Sequence, residues 1–565
     1  MKKILFKTIA AAVLTLGMTG CVNDLDISSN DPQSSPNPDD MGLLAKCYAT
    51  LGLTGQDGGA GNGDLSLDEG ESGFYRTTFN LQELPTDECM WAWQTDTDIP
   101  QITMIGWNSS SVRVQWAYTR LTYDITLFNS YLSQVADDDK NRQYRAEVRF
   151  LRALHYWYML DLFGKSPFKT DFDISTLPVE YSGNQMYGWL DNELTEIENE
   201  MTAAGTGVGS FNNSENFGRA DLGAVYLLHA RLALNSAVYS DTINPETEYR
   251  KAIDYCNRIE QSGAYALSDK ANKFGNSGYA QLFMADNDQN EYARREIIFP
   301  IRQDGMRTRQ YSGSLMLIAG ARSASMPDYG MKETWTCLFA RRAMTQKFFP
   351  SLSDVPLVPD GATTSTSQAQ TSTLDQQYGT TVAHVIAAAG DDRALLYSGC
   401  ADGARTISTD AVSDFKNGLS LVKWTNLKSD NTGGSDLSWP DTDIPLFRYA
   451  EIYLIRAEAN WRLGADAATV MNDINELRGR ANTRLFNAND ITEENIRDEW
   501  CREFFMEGRR RSDLVRFGCF TGNKYVWDWK GGVANGTTVD SHFNVYPIPA
   551  DDIMNNGNLS QNPGY

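Results

Sequence analysis

The residues between Asp68 and Pro100 carry the side chains with the most to offer a ligand. The stretch DEGESGFYRTTFNLQELPTDECMWAWQTDTDIP holds Phe74, Tyr75, Phe79, Trp91 and Trp93 among Asp68, Arg76, Gln94 and Asp96. Its content of Gly, Thr, Asp and Pro argues against a helix interior, so it reads as loop and short strand. In an extended backbone Trp91 and Trp93 point to opposite faces, so one can anchor the loop in the core while the other faces solvent. A solvent-facing ring beside carboxylates, an amide and a guanidinium suits a sugar, whose C–H face lies on the ring while its hydroxyls take hydrogen bonds. The competing reading is that all five rings are ordinary core, since large aromatics are mostly well buried.

Other chemistry is thinner. Asp286-Asn287-Asp288 and Asp441-Thr442-Asp443 each offer hard oxygens at two-residue spacing, as calcium sites do, although neither is a full EF-hand loop. Calcium and a plain solvated charge run both stay open for them. Four scattered histidines (His155, His229, His384, His542) show no metal-protease spacing, which argues against metal-hydrolase and Ser-His-Asp chemistry. Beyond Cys21, seven cysteines with no CxxC pair argue against a disulfide framework and a structural zinc site. Arg509-Arg510-Arg511 invites a nucleic-acid reading, but Glu499, Glu503 and Glu507 precede it on a helical pattern, which favours ion pairs within the scaffold. A net charge of −23 also argues against nucleic acid or an anionic lipid surface as partner. A glycoside hydrolase needs two carboxylates facing across a cleft, about 5 Å or about 6.5–9.5 Å apart. Asp68 and Asp96 are the obvious pair, but a solvated carboxylate beside Arg76 keeps a low pKa and makes a poor general acid.

These residues need elements to position them. Residues 1–20 read as a signal peptide, with Lys2, Lys3 and Lys7 before a short apolar run. Met18-Thr19-Gly20-Cys21 resembles a lipoprotein processing site, which makes Cys21 the lipidated first residue of the mature protein. Residues 21–42, rich in Pro, Ser and Asp, read as a flexible tether, and 43–565 as a single domain. Helical periodicity runs through Arg145–Phe163, Asp191–Met201, Asp221–Tyr239 and Tyr249–Ile259, then Phe447–Leu463, Ala467–Arg480 and Thr492–Phe517. Gly164 and Gly464 mark stops, and Thr492 marks a cap. Small-large packing at intervals near 34 residues resembles tetratricopeptide repeats, whose helix pairs stack on one another. The fold class is therefore mainly α: a scaffold over about 112–267 and 445–518, with a large loop-rich, partly β binding part over about 55–111 and 268–444. Within the latter, Ile297–Ile301 reads as strand, 360–377 as a mobile low-complexity tract, and Tyr311 and Trp335 as exposed aromatics on inserted loops, where binding usually resides.

Taken together, AEVRFLRALHYWYMLDLFG at 146–164, FRYAEIYLIRAEA at 447–459, EWCREFFMEGRRRSDLVRFG at 499–518 and the tail YPIPADDIMNNGNLSQNPGY at 546–565 resemble the SusD family of surface glycan-binding lipoproteins. DEGESGFYRTTF at 68–79, LPTDECMWAWQ at 84–94, LFMADND at 282–288, GDDRALLYSG at 390–399 and NKYVWDWKGG at 523–532 place the chain close to the family's starch-binding founding member. The resemblance implies an outer-membrane, cell-surface protein that is a binder and not an enzyme. Its ligand would be starch or maltooligosaccharide, and its partner a TonB-dependent barrel of the SusC kind for which it acts as a glycan-capturing lid. Other surface glycan-binding lipoproteins and an amylase are further partners that this setting allows. The resemblance also implies a glycan arc of Trp93, Tyr311 and Trp335, with Arg76, Asp68 and Asp96 at the hydroxyls. Asp96 stands where the starch binder has an amide, so it accepts hydrogen bonds but donates none. Structural calcium is implied at Asp286, Asp288, Asp441 and Asp443. Three stacks of about 1 kcal/mol each, less the cost of association, give affinity of order micromolar to millimolar.

Overall fold

The helix Arg142–Phe163 sets the architecture, because nearly every side chain from Ala146 to Phe163 is buried. Its sequence shows one apolar face at Val148, Leu151, Leu154, Tyr158 and Leu162, yet Phe150, Tyr156, Trp157 and Met159 are buried as well. A helix covered all round must have neighbours on every side. Helix Val112–Gln134 packs on one flank and Gly183–Ala203 on another. The stack continues through Leu222–Leu234 and Pro245–Gln261. The chain then leaves for the insertion and returns to the same stack, as Ala450–Arg462 packs against Pro245–Gln261 and pairs with Ala467–Arg480. Local signals start these helices, two of them earlier than the periodicity expects: Ser182 forms a capping box with Gln185 ahead of the expected start at Asp191, Asn244 caps a helix expected from Tyr249, and Asp221 and Asp466 cap theirs. Gly164 (φ +69°) and Gly464 (φ +73°) end theirs in the left-handed region that glycine tolerates.

The computed structural model describes residues 39–55, 59, 63–212 and 214–565. The signal peptide and Cys21 lie outside the described residues, as does most of the tether; its last residues, from Asp40, belong to the helix Asp40–Gly52. Cys47–Tyr565 form one compact unit. Among the described residues no helix is long and apolar enough to cross a membrane. All seven described cysteines are buried.

Several boundaries differ from the sequence reading. Asp68–Pro100 is not all loop and strand: Phe74–Gln82 is a helix with every residue buried. Phe447 and Arg448 belong to strand Ile444–Arg448, which pairs antiparallel with Ile297–Ile301. Thr492–Phe517 is two helices, Glu493–Phe504 and Arg510–Arg516, parted where Met506 (φ +59°) and Gly508 (φ +75°) turn left-handed. The tract 360–377, expected to be mobile, carries most of helix Gln368–Tyr378, which buries Thr371 and Asp375.

That break re-pairs the charges. Arg509 meets Glu451 and Asp513, Arg510 meets Asp87 at 2.7 Å, and Arg511 meets Asp161. Glu499, Glu503 and Glu507 serve other cations. Arg448, fully buried, binds Glu296 at 2.9 Å, Glu503 at 2.6 Å and Glu507 at 2.8 Å. Arg393 reaches Glu499 and Glu503, Arg480 reaches Glu296 and Glu503, and Lys423 reaches Glu507. Burial alone would raise these acids, but the guanidiniums outweigh it: Glu499 falls from 4.5 to about 2, and Glu503 falls further. Acids depressed in the folded state stabilise it above their unfolded pKa, and that contribution is lost as pH falls through the folded value. Stability is therefore expected to decline from about pH 4.5 towards pH 2. Glu503→Gln, which leaves three buried guanidiniums short of a charge, should cost about 3 kcal/mol or more. Denaturant unfolding of the two forms across this pH range checks both, and a variant as stable as wild type would contradict the account.

Candidate functional site

Alternation around Trp91 holds in the structure. Cys89–Trp91 is a strand whose Trp91 is fully buried, whereas Trp93, two residues on, is 38 % exposed. The strand pairs antiparallel with Leu338–Ala340, which continues through Ser420–Leu421 to Leu396–Tyr397, so a four-stranded sheet ties the loop to the insertion. Arg341 fixes this junction: its buried guanidinium donates to the carbonyls of Leu84, Cys89, Thr103 and Asp528 at 2.6–3.1 Å. Phe74, Tyr75 and Phe79 are core, as the competing reading had it for those three rings.

Leu338–Ala340 also delivers Trp335. Just before that strand Thr336 adopts φ +50°, rare for a β-branched residue, held by its N–H to the Arg322 carbonyl at 3.1 Å. Trp335 is thereby left half-buried, its ring 6.3 Å from that of Trp93 and tilted by 39°. Tyr311 arrives from the other side, backed by Trp439 at 5.2 Å. The turn Asp68–Gly73 leans directly on it. A side chain at Gly70 would meet Tyr311 Cβ at 3.0 Å, and one at Gly73 would meet Ser312 Oγ at 2.2 Å. Only glycine permits that approach.

The result is an open cleft of about 340 Å³ lined by Asp68, Glu69, Gly70, Glu71, Arg76, Trp93, Tyr311 and Trp335. Five of the six residues expected to meet a glycan are thus brought together. Arg76 is only 3 % exposed and lies 4.8 Å above the Trp91 ring and 5.7 Å from Trp335. It spends one bond on Glu71 at 3.0 Å, and its Nε is buried without a partner. Asp96 does not line the cleft. The turn after Trp93 folds it back so that its Oδ2 accepts from Trp91 Nε1 at 3.2 Å, and it serves as a brace for the buried indole. Glu71, which the sequence reading missed, takes its place in the wall. Burial works to raise its pKa, but Arg76 and Arg113 together hold the carboxyl below the ordinary value. Asp68 accepts from the Glu71 N–H at 3.1 Å, and Glu69 accepts from Thr54 at 2.8 Å. With Asp96 committed to Trp91 and Glu71 clamped ionised between two guanidiniums, the cleft offers hydrogen bonds and ring faces to a ligand.

The four aspartates marked for calcium divide. The two clusters do lie side by side: Asn287 bonds the Asp443 backbone in both directions, and Arg302 bridges Asp288 and Asp443 at 3.0 Å each. Asp286 and Asp441, however, are spent as loop staples, accepting from Ser429 and from Gly305 and Ser435. These two expected calcium ligands are thus each engaged by donors of neighbouring loops. Among the described residues no three His, Cys, Asp or Glu side chains converge as a metal cage. Asp443 is the exception in chemistry: burial, helped by Asp288 and opposed by Arg302, pushes its pKa up to about 7. Its Oδ2 is buried and, although near Arg302, accepts no aligned hydrogen bond.

Across its whole length the chain is 54 % identical to the starch-binding protein SusD of Bacteroides thetaiotaomicron, covering 99 % of that protein. The chain belongs to the SusD family. The family model itself matches residues 403–565. A SusD-like protein of Formosa agariphila is 24 % identical over 73 % of this chain and 70 % of its own. Among solved structures, a SusD-like protein of Bacteroides fragilis superposes with a TM-score of 0.64 at 18 % identity, covering 93 % of this chain and 97 % of that one. Surface glycan-binding protein A of Bacteroides thetaiotaomicron, solved with laminarihexaose, gives 0.62 at 19 % identity and covers 93 % and 98 %. These structures show that this SusD family member shares their mainly helical fold.

Proposed function

We propose that this SusD family member binds starch and maltooligosaccharides at the cleft of Trp93, Tyr311 and Trp335. The observation that carries this reading is the convergence of three ring-bearing segments from distant parts of the chain on one open cleft. Arg76 donors and an acidic turn stand at its edge. Tilted rings suit a curved α-glucan, whose successive glucose faces turn along the helix, better than a flat chain. The likeness to a starch-binding protein at 54 % identity supports the same ligand. In this reading the protein captures glycan at the cell surface, is anchored through lipidated Cys21, and passes the glycan to a TonB-dependent barrel. It acts as a binder without hydrolytic activity. A calcium ion is proposed beside Asp288 and Asp443, where a buried carboxylate oxygen lacks a hydrogen bond and the half-exposed Arg302 bridges two acids. Such an ion would add positive charge and join the segments around 288 and 443; backbone oxygens and water would complete its shell.

Trp93→Ala should weaken maltoheptaose binding by about 1–3 kcal/mol, roughly fivefold to 150-fold in Kd, with the melting temperature nearly unchanged because the ring is exposed. Calorimetry and thermal melts check this, with a reducing-sugar assay on amylose expected to stay flat. Equal losses of binding and stability would show the ring to be structural. Sustained sugar release by the wild type would show an enzyme. For the metal, chelation should lower the melting temperature while sparing most glycan affinity, since an ion bound only by the folded state stabilises it. An unchanged melt with no metal by elemental analysis would remove calcium from the account.

A further inference from the structure

The helical scaffold has its own cavity, of about 640 Å³, which shares no residue with the aromatic cleft and is larger than it. Its walls come from the segment after helix Pro245–Gln261, the short helix Glu291–Glu296, and the paired helices Ala450–Arg462 and Ala467–Arg480. Four tyrosines line it. Tyr265 and Tyr449 lie nearly parallel, 6.4 Å apart, and Tyr453 meets Tyr449 edge-on at 5.5 Å. These three are buried in the wall, whereas Tyr292 is 37 % exposed at the rim. The Tyr292 N–H is held by the Asn290 side chain at 3.0 Å, so the ring stands on a capped backbone and not on a loose loop.

The charges around the rim decide the ligand class. Lys270, paired with Asp269 at 3.4 Å, shares the lining with Arg295 and Glu476, two of each sign, while Arg480 is already committed to Glu296 and Glu503. A balanced rim gives no preference for an anion or a cation, but it supplies both donors and acceptors. Paired with an exposed ring and phenolic hydroxyls, that is the chemistry of a neutral polyhydroxylated ligand. The volume lies within the range of sites for molecules larger than a single sugar ring. Nothing in the scaffold's packing requires such a ring at the surface: Tyr292 makes the outer turn of a six-residue helix whose buried residues are Ala293 and Glu296.

We propose that this tyrosine-lined cavity is a second, weaker maltooligosaccharide site on the scaffold, independent of the Trp93 cleft. It takes its ligand class from the reading above, and its effect on a polymer is avidity. Two weak sites on one chain hold a long glucan more tightly than either alone, because the second contact is made at high effective concentration.

The test uses the soluble full domain and maltoheptaose. Calorimetry at millimolar ligand of the triple variant Trp93→Ala, Tyr311→Ala, Trp335→Ala, which strips the first cleft of all three rings, should leave a weak single-site isotherm, and Tyr292→Ala in that background should abolish it. Tyr292→Ala alone should keep the affinity of the Trp93 cleft but lower retention on insoluble starch by about tenfold, as loss of one of two linked contacts does. Crystals of Trp93→Ala soaked in maltoheptaose should show sugar beside Tyr292. Complete loss of binding in Trp93→Ala, with sugar density confined to the Trp93 cleft in wild-type crystals, would overturn the second site and leave the first intact. A wild type that binds no maltoheptaose would overturn both. Residual binding in the triple variant that survives Tyr292→Ala and Arg295→Ala would place the second contact elsewhere and also overturn the proposal.

Discussion

The buried ion network around Arg448 and Glu503 is the constraint on which the rest depends. Arg448 sits on the strand that leads into the scaffold helix Ala450–Arg462 and Glu503 on the late helix Glu493–Phe504, while Glu296, Arg393 and Lys423 come from the insertion. Taking such charges out of water is costly, and the network is favourable only while every partner is in place. It therefore acts less as added stability than as a condition on geometry. The insertion either docks in one register or leaves several charges stranded. The strand pair Ile297–Ile301 with Ile444–Arg448 runs beside it and delivers Arg448 itself.

From that fixed junction the cleft follows. The segment 268–444 is long and short of regular structure, and loops of that kind position ligand groups poorly unless something rigid holds them. Here Arg341 bonds four carbonyls beneath the Trp91 strand, the sheet joins Cys89–Trp91 to Leu338–Ala340, and Thr336 turns Trp335 outward. Gly70 and Gly73 let the acidic turn close on Tyr311 and Ser312. Two of the rings thus have a second ring behind them: buried Trp91 beneath Trp93 at 5.7 Å, and half-buried Trp439 behind Tyr311. Rings held this way lose little freedom on binding, which matters when each stack is worth about 1 kcal/mol.

Much of this was legible from residues. The Trp91–Trp93 alternation separates anchor from exposed ring by strand geometry alone, and Gly164, Gly464 and Thr492 mark the helix ends at which they stand. Bringing Tyr311 and Trp335 to Trp93 needed family resemblance, since contacts between distant segments leave no periodic trace in one sequence. Helix Phe74–Gln82 was hidden by composition averaged over a longer window: FYRTTFNLQ has no Gly or Pro of its own, and the breakers flank it. Asp96 and Asp286 are engaged within the fold for a shared reason. A carboxylate in a loop reads as available, yet the nearest N–H claims it, here Trp91 Nε1 and the Ser429 amide. The partners of Arg509–Arg511 were misassigned because the left-handed turn at Met506 and Gly508 breaks the helix on which the spacing argument relied.

A crystal of the soluble domain soaked with a cyclic maltooligosaccharide tests the central claim most directly. The account predicts glucose rings stacked on Trp93, Tyr311 and Trp335, with hydroxyls bonded to Arg76 and to the Asp68–Glu71 turn, and Asp96 still holding Trp91. Sugar density found only away from these three rings, with the cleft filled by water, would contradict it.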